Sequence, residues 1–200
     1  VIKAVDENQD LLRCIVASAG NDHRLGANEA PPSIMSIYVG DELDAILNAI
    51  RKGTDYEGAK KKKMTIGVDV LPPIPKDSTD RNRTSPFAFT GNRFEFRSVG
   101  SNLSISGPNT ILNAILADAL KSFADELEKS DNFDSDLHKL IKREITNHWN
   151  ILFNGNGYGA EWIVEAEKRG LKNYRTTPDA MEHYLASEKI IPKSNRCGNQ

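Results

Sequence analysis

Four arginines and one glutamate lie within the 17 residues from Arg81 to Arg97, and these groups are suited to anion chemistry. Residues 93–97 read RFEFR, an alternation typical of a strand in which Arg93, Glu95 and Arg97 share one face. A guanidinium keeps its charge and offers a planar fork of donors for phosphate or carboxylate oxygens. A carboxylate among arginines stays ionised and can serve a divalent cation as an oxygen ligand. The segment therefore predicts an anion site with a potential metal ligand.

A second concentration of polar residues lies at 21–32, read NDHRLGANEAPP, where Gly, Asn and two prolines predict a loop. Arg24 could hold a carboxylate there. Glu29 could take a proton, because a carboxylate in a closing loop loses water and becomes more basic. An ordinary surface loop with an internal ion pair explains the same residues. For the arginine segment the alternative is a solvated strand face, although its aromatic and turn residues favour a site.

Other motifs carry less chemistry. The run GNGYG at 155–159 lacks the Lys–Ser/Thr ending of a phosphate-binding loop and follows no strand, so it predicts a turn between helices. Four lysines at 60–63 predict a solvated loop. Three histidines occur singly in helical patterns and are interpreted as surface or packing residues: His138, His148 and His183.

Composition limits the class of protein. The chain has 200 residues, 38% hydrophobic and 27% charged, with a formal net charge of −2, which is typical of a soluble globular protein without a global attraction to nucleic acid or anionic lipid. No apolar run approaches the roughly 18 residues of a membrane helix. Cys14 and Cys197 lack zinc-site spacing and favour a reducing, cytoplasmic location. Because Val1 is not Met and lies in an amphipathic pattern, we expect a piece of a longer protein.

The elements that position the two polar segments are mixed in the first half of the chain. The apolar run 14–18 predicts a short buried strand, and alternation predicts strands at 33–39 and 64–71. Between them a helical pattern follows Asp41, a candidate N-cap, and ends at Gly53.

The second half of the chain predicts helices. A long helix has Pro108 in its first turn and extends to Leu127. Further helices are predicted at about 134–153 and 160–169, and a last one opens with Thr177 as its N-cap and Pro178 in its first turn. Mixed elements followed by helices favour an α+β fold over alternating βαβ units.

The two polar segments resemble the catalytic core of glutamine synthetase, specifically its type III branch. NDHRLGANEAPP and DRNRTSPFAFTGNRFEFR carry the resemblance, and ILFNGNGYGAEWIVEAEKRGL is similar to the extended C-terminal region of that branch. The resemblance implies part of the family's catalytic antiparallel sheet with flanking helices, followed by an all-helical C-terminal region. It divides the chain into the C-terminal half of the catalytic domain at 1–130, a helical extension at 131–192 and a polar tail at 193–200.

The same resemblance implies an ATP-dependent ligase that joins glutamate and ammonia through a γ-glutamyl phosphate, with Mg²⁺ or Mn²⁺. Arg24, Glu29 and Arg97 match residues that bind glutamate. Glu29 also matches the glutamate that closes the site and takes a proton from ammonium. Both roles are expectations from the family.

The remaining roles concern ATP and the metal. Arg83 matches a catalytic arginine on the γ-phosphate, and Arg93 resembles one near the nucleotide phosphates. Glu95 matches a metal ligand. The commoner bacterial branch has one more arginine five residues after Arg83, where this chain has Ala88.

The resemblance also implies a homo-oligomer, with a dodecamer expected for the parent protein. We expect no nucleic-acid or membrane partner, because the chain has no net positive charge and no apolar run long enough for a membrane helix. Because the other metal ligands of the family precede the matched region, we expect these 200 residues alone to be inactive. The alternative function is a non-catalytic anion-binding or oligomer-assembly module. A third is a different carboxylate–amine ligase or a guanidino-kinase relative.

Overall fold

The computed structural model describes residues 1–27, 29–56, 63–64, 74–75 and 85–186. Helices within these residues are α1 (Ile2–Glu7), α2 (Gln9–Cys14), α3 (Ala19–Arg24), α4 (Gly40–Lys52), α5 (Ser106–Leu127), α6 (Phe133–Asn147), α7 (Ala160–Lys168) and α8 (Thr177–Ala186). A 3-10 helix spans Trp149–Ile151. The strands are β1 (Ile37–Tyr38), β2 (Lys63–Met64), β3 (Ile74–Pro75), β4 (Phe87–Phe89) and β5 (Phe94–Phe96).

A small three-stranded sheet has the order β1-β4-β5. The β4–β5 pair is antiparallel with Ala88 opposite Glu95, whereas β1 runs parallel to β4 with Ile37 opposite Phe87. The described part of the chain is therefore mixed α+β, and the antiparallel arrangement expected for the sheet holds only for β4–β5. Strands β2 and β3 form a separate antiparallel pair. Beyond Met64, the predicted strand 64–71 lies outside the described residues.

The region before β1 differs from its prediction. The expected strand 14–18 is absent, because Cys14 ends α2 and a turn follows it, with Val16 fully buried. An apolar run of five residues cannot by itself distinguish a strand from a buried helix end. Part of the expected loop 21–32 is helical, since Ser18 caps α3 by accepting a hydrogen bond from the Asn21 amide at 3.2 Å.

Helix α4 receives its cap from a distant part of the chain. It begins at Gly40, and the predicted N-cap Asp41 is already inside its first turn. Instead, the side-chain oxygen of Asn154 accepts hydrogen bonds from the amides of Val39 and Gly40 at 3.0 and 3.1 Å. Gly53 ends the helix as predicted, with a positive φ of 68°.

Helices account for most of the described chain after β5. The long helix α5 contains Pro108 in its first turn, as predicted. Helix α6 is shorter than predicted, because it ends at Asn147 and the 3-10 helix follows. Before α8, Thr176 rather than Thr177 acts as the cap, since its hydroxyl accepts a hydrogen bond from the Asp179 amide at 3.4 Å. None of the described helices combines the length and apolar character needed to cross a membrane.

The hydrophobic core joins residues from both sides of position 130. It includes Val5 of α1, Ile37 of β1 and Ile115 of α5, together with Ile145 of α6 and Trp162 of α7. Helices α5 and α6 pack against α1 and against each other. The expected boundaries at 130 and 192 stay predictions.

Candidate active site

One face of the β4–β5 hairpin packs against the core, and Glu95 lies on the other face. The Phe94 and Phe96 rings each lie with their centroids 5.7 Å from the Phe87 ring. Neighbouring residues of a strand point to opposite faces, so Glu95 points away from this aromatic layer. Ala88, where the commoner branch has an arginine, is fully buried opposite Glu95.

Glu95 lies between two guanidiniums on that outer face. Its Oε1 accepts hydrogen bonds from Arg93 Nε and Nη2 at 3.1 and 3.0 Å. Its Oε2 accepts from Arg97 Nε and Nη2 at 3.3 and 3.1 Å. The predicted shared face of the three side chains is thus confirmed. Hydrogen bonds from Arg93 first, and then from Arg97, hold the pKa of Glu95 below its usual value, so this carboxylate stays ionised at neutral pH.

Arg24 lies in the last turn of α3 and is joined to the residue after Arg97. Its Nη2 donates to the Ser98 carbonyl at 3.1 Å, and its Nε and Nη2 donate to the Asn21 side-chain oxygen at 3.1 and 3.0 Å. Asn21 is buried, and its side-chain nitrogen Nδ2 donates to the backbone carbonyls of Val16 and Ser98. Ser98 therefore couples α3 to the end of the β4–β5 hairpin.

Glu29 lies on the tight loop that follows α3. Gly26, at φ 85°, opens the loop in a conformation that favours glycine. Its amide donates to the carbonyls of Ala30 and Pro31 at 3.1 and 3.0 Å, which closes the base of the loop. Glu29 is exposed, and within the described chain its carboxylate takes part in none of the hydrogen bonds or ion pairs. The carboxylate is therefore available to a ligand.

Both polar segments line one cavity of about 310 Å³. Its walls are Arg24, Leu25, Glu29, Ala30, Pro31, Pro32, Ser85, Pro86, Glu95, Arg97, Ser98 and Tyr158. The volume lies at the lower end of the roughly 300–1,000 Å³ typical of small-ligand sites.

The cavity unites most of the site residues predicted from sequence. The members that line it are Arg24, Glu29, Glu95 and Arg97. Arg93 is outside this lining; its side chain is 71% exposed and pairs with Glu95, which is part of the lining. Arg83 lies outside the described residues.

The cavity carries both signs of charge. Arg24 and Arg97 can bind a carboxylate or phosphate, and Glu29 can accept from an ammonium group or remove its proton. An α-amino acid has both kinds of group, so the arrangement suits such a ligand.

The donor set fits a divalent cation only in part. Glu95 offers an ionised carboxylate, which is an acceptable ligand for Mg²⁺ or Mn²⁺. The described residues contain no group of three or more acidic, His or Cys side chains that could hold a metal ion. Glu95 therefore qualifies as one ligand of a site that needs further oxygens.

Sequence reasoning missed one residue of this site and left the role of one buried histidine open. Tyr158 lines the cavity, although the GNGYG run predicted only a turn between helices; a single aromatic residue within that run was the available signal. His148 is buried, with its Nδ1 2.6 Å from Asp6 Oδ2 and its Nε2 3.4 Å from Glu144 Oε2. It joins α1 to α6 away from the cavity, so of the two roles predicted for it, surface or packing, the structure supports packing.

Comparison with known proteins defines the class. Residues 136–193 match the family described as the glutamine synthetase C-terminal domain. A "Type-3 glutamine synthetase" from Dictyostelium discoideum is 48% identical over 194 residues, which is 96% of this chain and 26% of that protein. Proteins named glutamine synthetase from Butyrivibrio fibrisolvens and Bacteroides fragilis (strain YCH46) are each 46% identical, over 95% and 94% of this chain and 27% of their own length.

The chain therefore belongs to the glutamine synthetase family. The resemblance to the type III branch is confirmed by the relative that carries that name. The chain spans about a quarter of the length of these relatives.

Proposed function

We propose that this chain is part of an ATP-dependent ligase that makes glutamine from glutamate and ammonia through a γ-glutamyl phosphate. The observation that carries the proposal is the single cavity shared by Arg24, Glu29, Glu95 and Arg97. The names of the chain's relatives support the proposal independently.

Substrate binding follows from the charges of the cavity. Arg24 and Arg97 hold glutamate through its carboxylates, and the Ser98 carbonyl fixes Arg24 in place. Glu29, on its loop, closes the site over the substrate and takes a proton from ammonium.

The reaction then has two displacements. A γ-carboxylate oxygen of glutamate attacks the γ-phosphorus of ATP, the bond to the β-phosphate oxygen breaks, and ADP leaves. Ammonium gives a proton to Glu29, and the resulting ammonia attacks the acyl carbon. The bond to the phosphate oxygen breaks, phosphate leaves, and the nitrogen loses one further proton to the departing phosphate to give glutamine. Arg83 stabilises the charge that develops on the transferred phosphoryl group, and Arg93 lies near the nucleotide phosphates.

Mg²⁺ or Mn²⁺, when bound, supplies positive charge near the phosphates, and Glu95 is the residue of this chain that would hold it. The pairing with Arg93 and Arg97 keeps Glu95 ionised for that role. The further oxygen ligands come from outside the described residues.

The proposal extends to the parent protein. Residues 1–130 form part of its catalytic domain, 131–192 a helical extension and 193–200 a polar tail. The parent is a cytoplasmic homo-oligomer, with a dodecamer favoured.

A second candidate is an anion-binding or assembly module without catalysis. Three large apolar side chains on or next to α5 and α6 favour an assembly surface, since they are more than half exposed: Ile105, Leu120 and Phe133. That module would bind partners but would have no turnover.

The test is an assay of the full-length protein with glutamate, ammonia, ATP and Mg²⁺ or Mn²⁺, measuring ADP and glutamine. Arg97→Gln removes charge-assisted hydrogen bonds, which contribute roughly 1.5–3 kcal/mol each, so the KM for glutamate should rise about 10- to 100-fold. Arg143→Gln is the matched control, because Arg143 pairs with Glu126 on the surface. The proposal fails if the unmodified full-length protein forms no glutamine, and the assembly module then remains.

A further inference from the structure

Tyr158 belongs to the helical second half of the chain and lines the candidate active site. It lies in the turn between the 3-10 helix and α7, far in sequence from the other polar residues of the cavity. Its hydroxyl donates a hydrogen bond to the backbone carbonyl of Glu29 at 3.4 Å. The contact therefore reaches the residue proposed to close the site.

The turn that carries Tyr158 has a firm base. The Phe153 amide donates to the Ile37 carbonyl at 2.9 Å, and the Phe153 ring stacks on Trp162 with the centroids 3.7 Å apart. Nearer the tip, the Asn156 side-chain oxygen accepts a hydrogen bond from the Tyr158 amide at 3.0 Å. The hydroxyl is thus presented from a segment anchored to the sheet and the core.

The Glu29 loop is anchored differently, because its own hydrogen bonds lie at its base. The Gly26 amide bonds to the Ala30 and Pro31 carbonyls, and the Ala27 amide bonds to the Arg24 carbonyl. Within the described residues, the Tyr158 hydroxyl is the donor that ties Glu29 itself to a separate element. Losing this donor leaves the base of the loop intact and removes the tie on Glu29.

We propose that Tyr158 is a positioning residue that holds the Glu29 loop over the cavity through its hydroxyl group. The effect of this contact on the reaction rests on the proposed function. An acyl phosphate is open to water as well as to ammonia. When water attacks its acyl carbon, the bond to the phosphate oxygen breaks, and glutamate and phosphate are returned without glutamine. A loop held closed keeps water out, so Tyr158 should favour glutamine over this loss.

The first measurement is hydrogen–deuterium exchange of the peptide covering residues 25–30 in the full-length protein. Tyr158→Phe keeps the ring and removes the hydroxyl, and one net hydrogen bond corresponds to exchange about three- to tenfold faster in this peptide. Tyr56→Phe is the matched control, because Tyr56 is 42% exposed, like Tyr158 at 41%, and does not line the cavity. It should leave exchange at 25–30 unchanged.

Exchange in Tyr158→Phe equal to that of the unmodified protein overturns the proposal. So does faster exchange only in Tyr158→Ala, because the ring rather than the hydroxyl would then hold the loop. Since exchange needs no turnover, this result stands even if the protein makes no glutamine, in which case only the proposed function fails.

The second measurement is the ratio of ADP formed to glutamine formed. Tyr158→Phe should raise this ratio about two- to fivefold at subsaturating ammonia, because ammonia then competes less well with water. Tyr56→Phe should keep the ratio of the unmodified protein. An unchanged ratio together with faster exchange would overturn the claim that the contact limits hydrolysis of the acyl phosphate. The claim that the Tyr158 hydroxyl holds the Glu29 loop would stand.

Discussion

Asp22 offers the sharpest test of how the rest of the fold supports Arg24, because it fixes the same short helix through different partners. The Arg13 side chain is 1% exposed, and its Nη2 lies 2.7 Å from Asp22 Oδ1. The other carboxylate oxygen of Asp22 accepts a hydrogen bond from the Thr177 amide at 2.7 Å. Asp22→Asn therefore leaves a buried guanidinium without its counter-charge.

The magnitude follows from this burial. Removing one partner of a buried ion pair costs roughly 3–5 kcal/mol, and we expect about 3 kcal/mol because Arg13 Nε keeps its hydrogen bond to the Tyr174 carbonyl at 2.8 Å. For a chain of this size each kcal/mol lowers the melting temperature by about 2–4 °C, so the expected decrease is roughly 6–12 °C.

The assay is thermal and urea unfolding of the chain, monitored by tryptophan fluorescence at neutral pH. The first gives the melting temperature and the second the free energy of unfolding. Glu126→Gln is the matched control, because Glu126 pairs with Arg143 at the surface and its loss should change stability little. An Asp22→Asn variant as stable as Glu126→Gln would refute the reasoning.

The same pair predicts a pH dependence. Burial alone would raise the pKa of Asp22, but the Thr177 amide and the Arg13 guanidinium outweigh it and lower this pKa below the ordinary 3.8. A carboxyl whose pKa is lowered by folding stabilises the fold above its unfolded pKa, and this contribution disappears as pH falls through the folded pKa. The free-energy difference between the unmodified chain and Asp22→Asn should therefore shrink below about pH 4.

Three further predictions address the site and its supports. In the full-length protein, Arg83→Ala should slow glutamine formation about 100- to 1,000-fold, the usual cost of losing a transition-state donor, and a loss below about threefold would contradict its role. In a pH titration followed by NMR, Glu95 should titrate below the ordinary glutamate pKa of 4.5, and Arg93→Gln should raise it; an unchanged value would argue against the pairing. Asn154→Ala removes the cap of α4 and should lower the free energy of unfolding by about 1–2 kcal/mol, whereas Asp41→Ala should lower it less. Equal losses would restore Asp41 as the cap.

The local pattern of the arginine segment was enough to predict the relation among Arg93, Glu95 and Arg97. A strand has a period of two residues, so alternate side chains share a face wherever the strand lies. The same reasoning failed at residues 14–18, because a short apolar run is compatible with both a buried strand and a helix end. It also failed at Asp41, because the cap comes from Asn154.

The sequence by itself determined the residue types, their local spacing and the family, because these depend on neighbours along the chain. Only the tertiary structure decided that Arg24 and Glu29 share a cavity with Glu95 and Arg97, and that Tyr158 forms part of its wall. Those contacts join segments 60 or more residues apart, as in the hydrogen bond from Arg24 to Ser98 at a separation of 74 residues. No local pattern encodes such distances; they are set when the helices and the small sheet pack on one core.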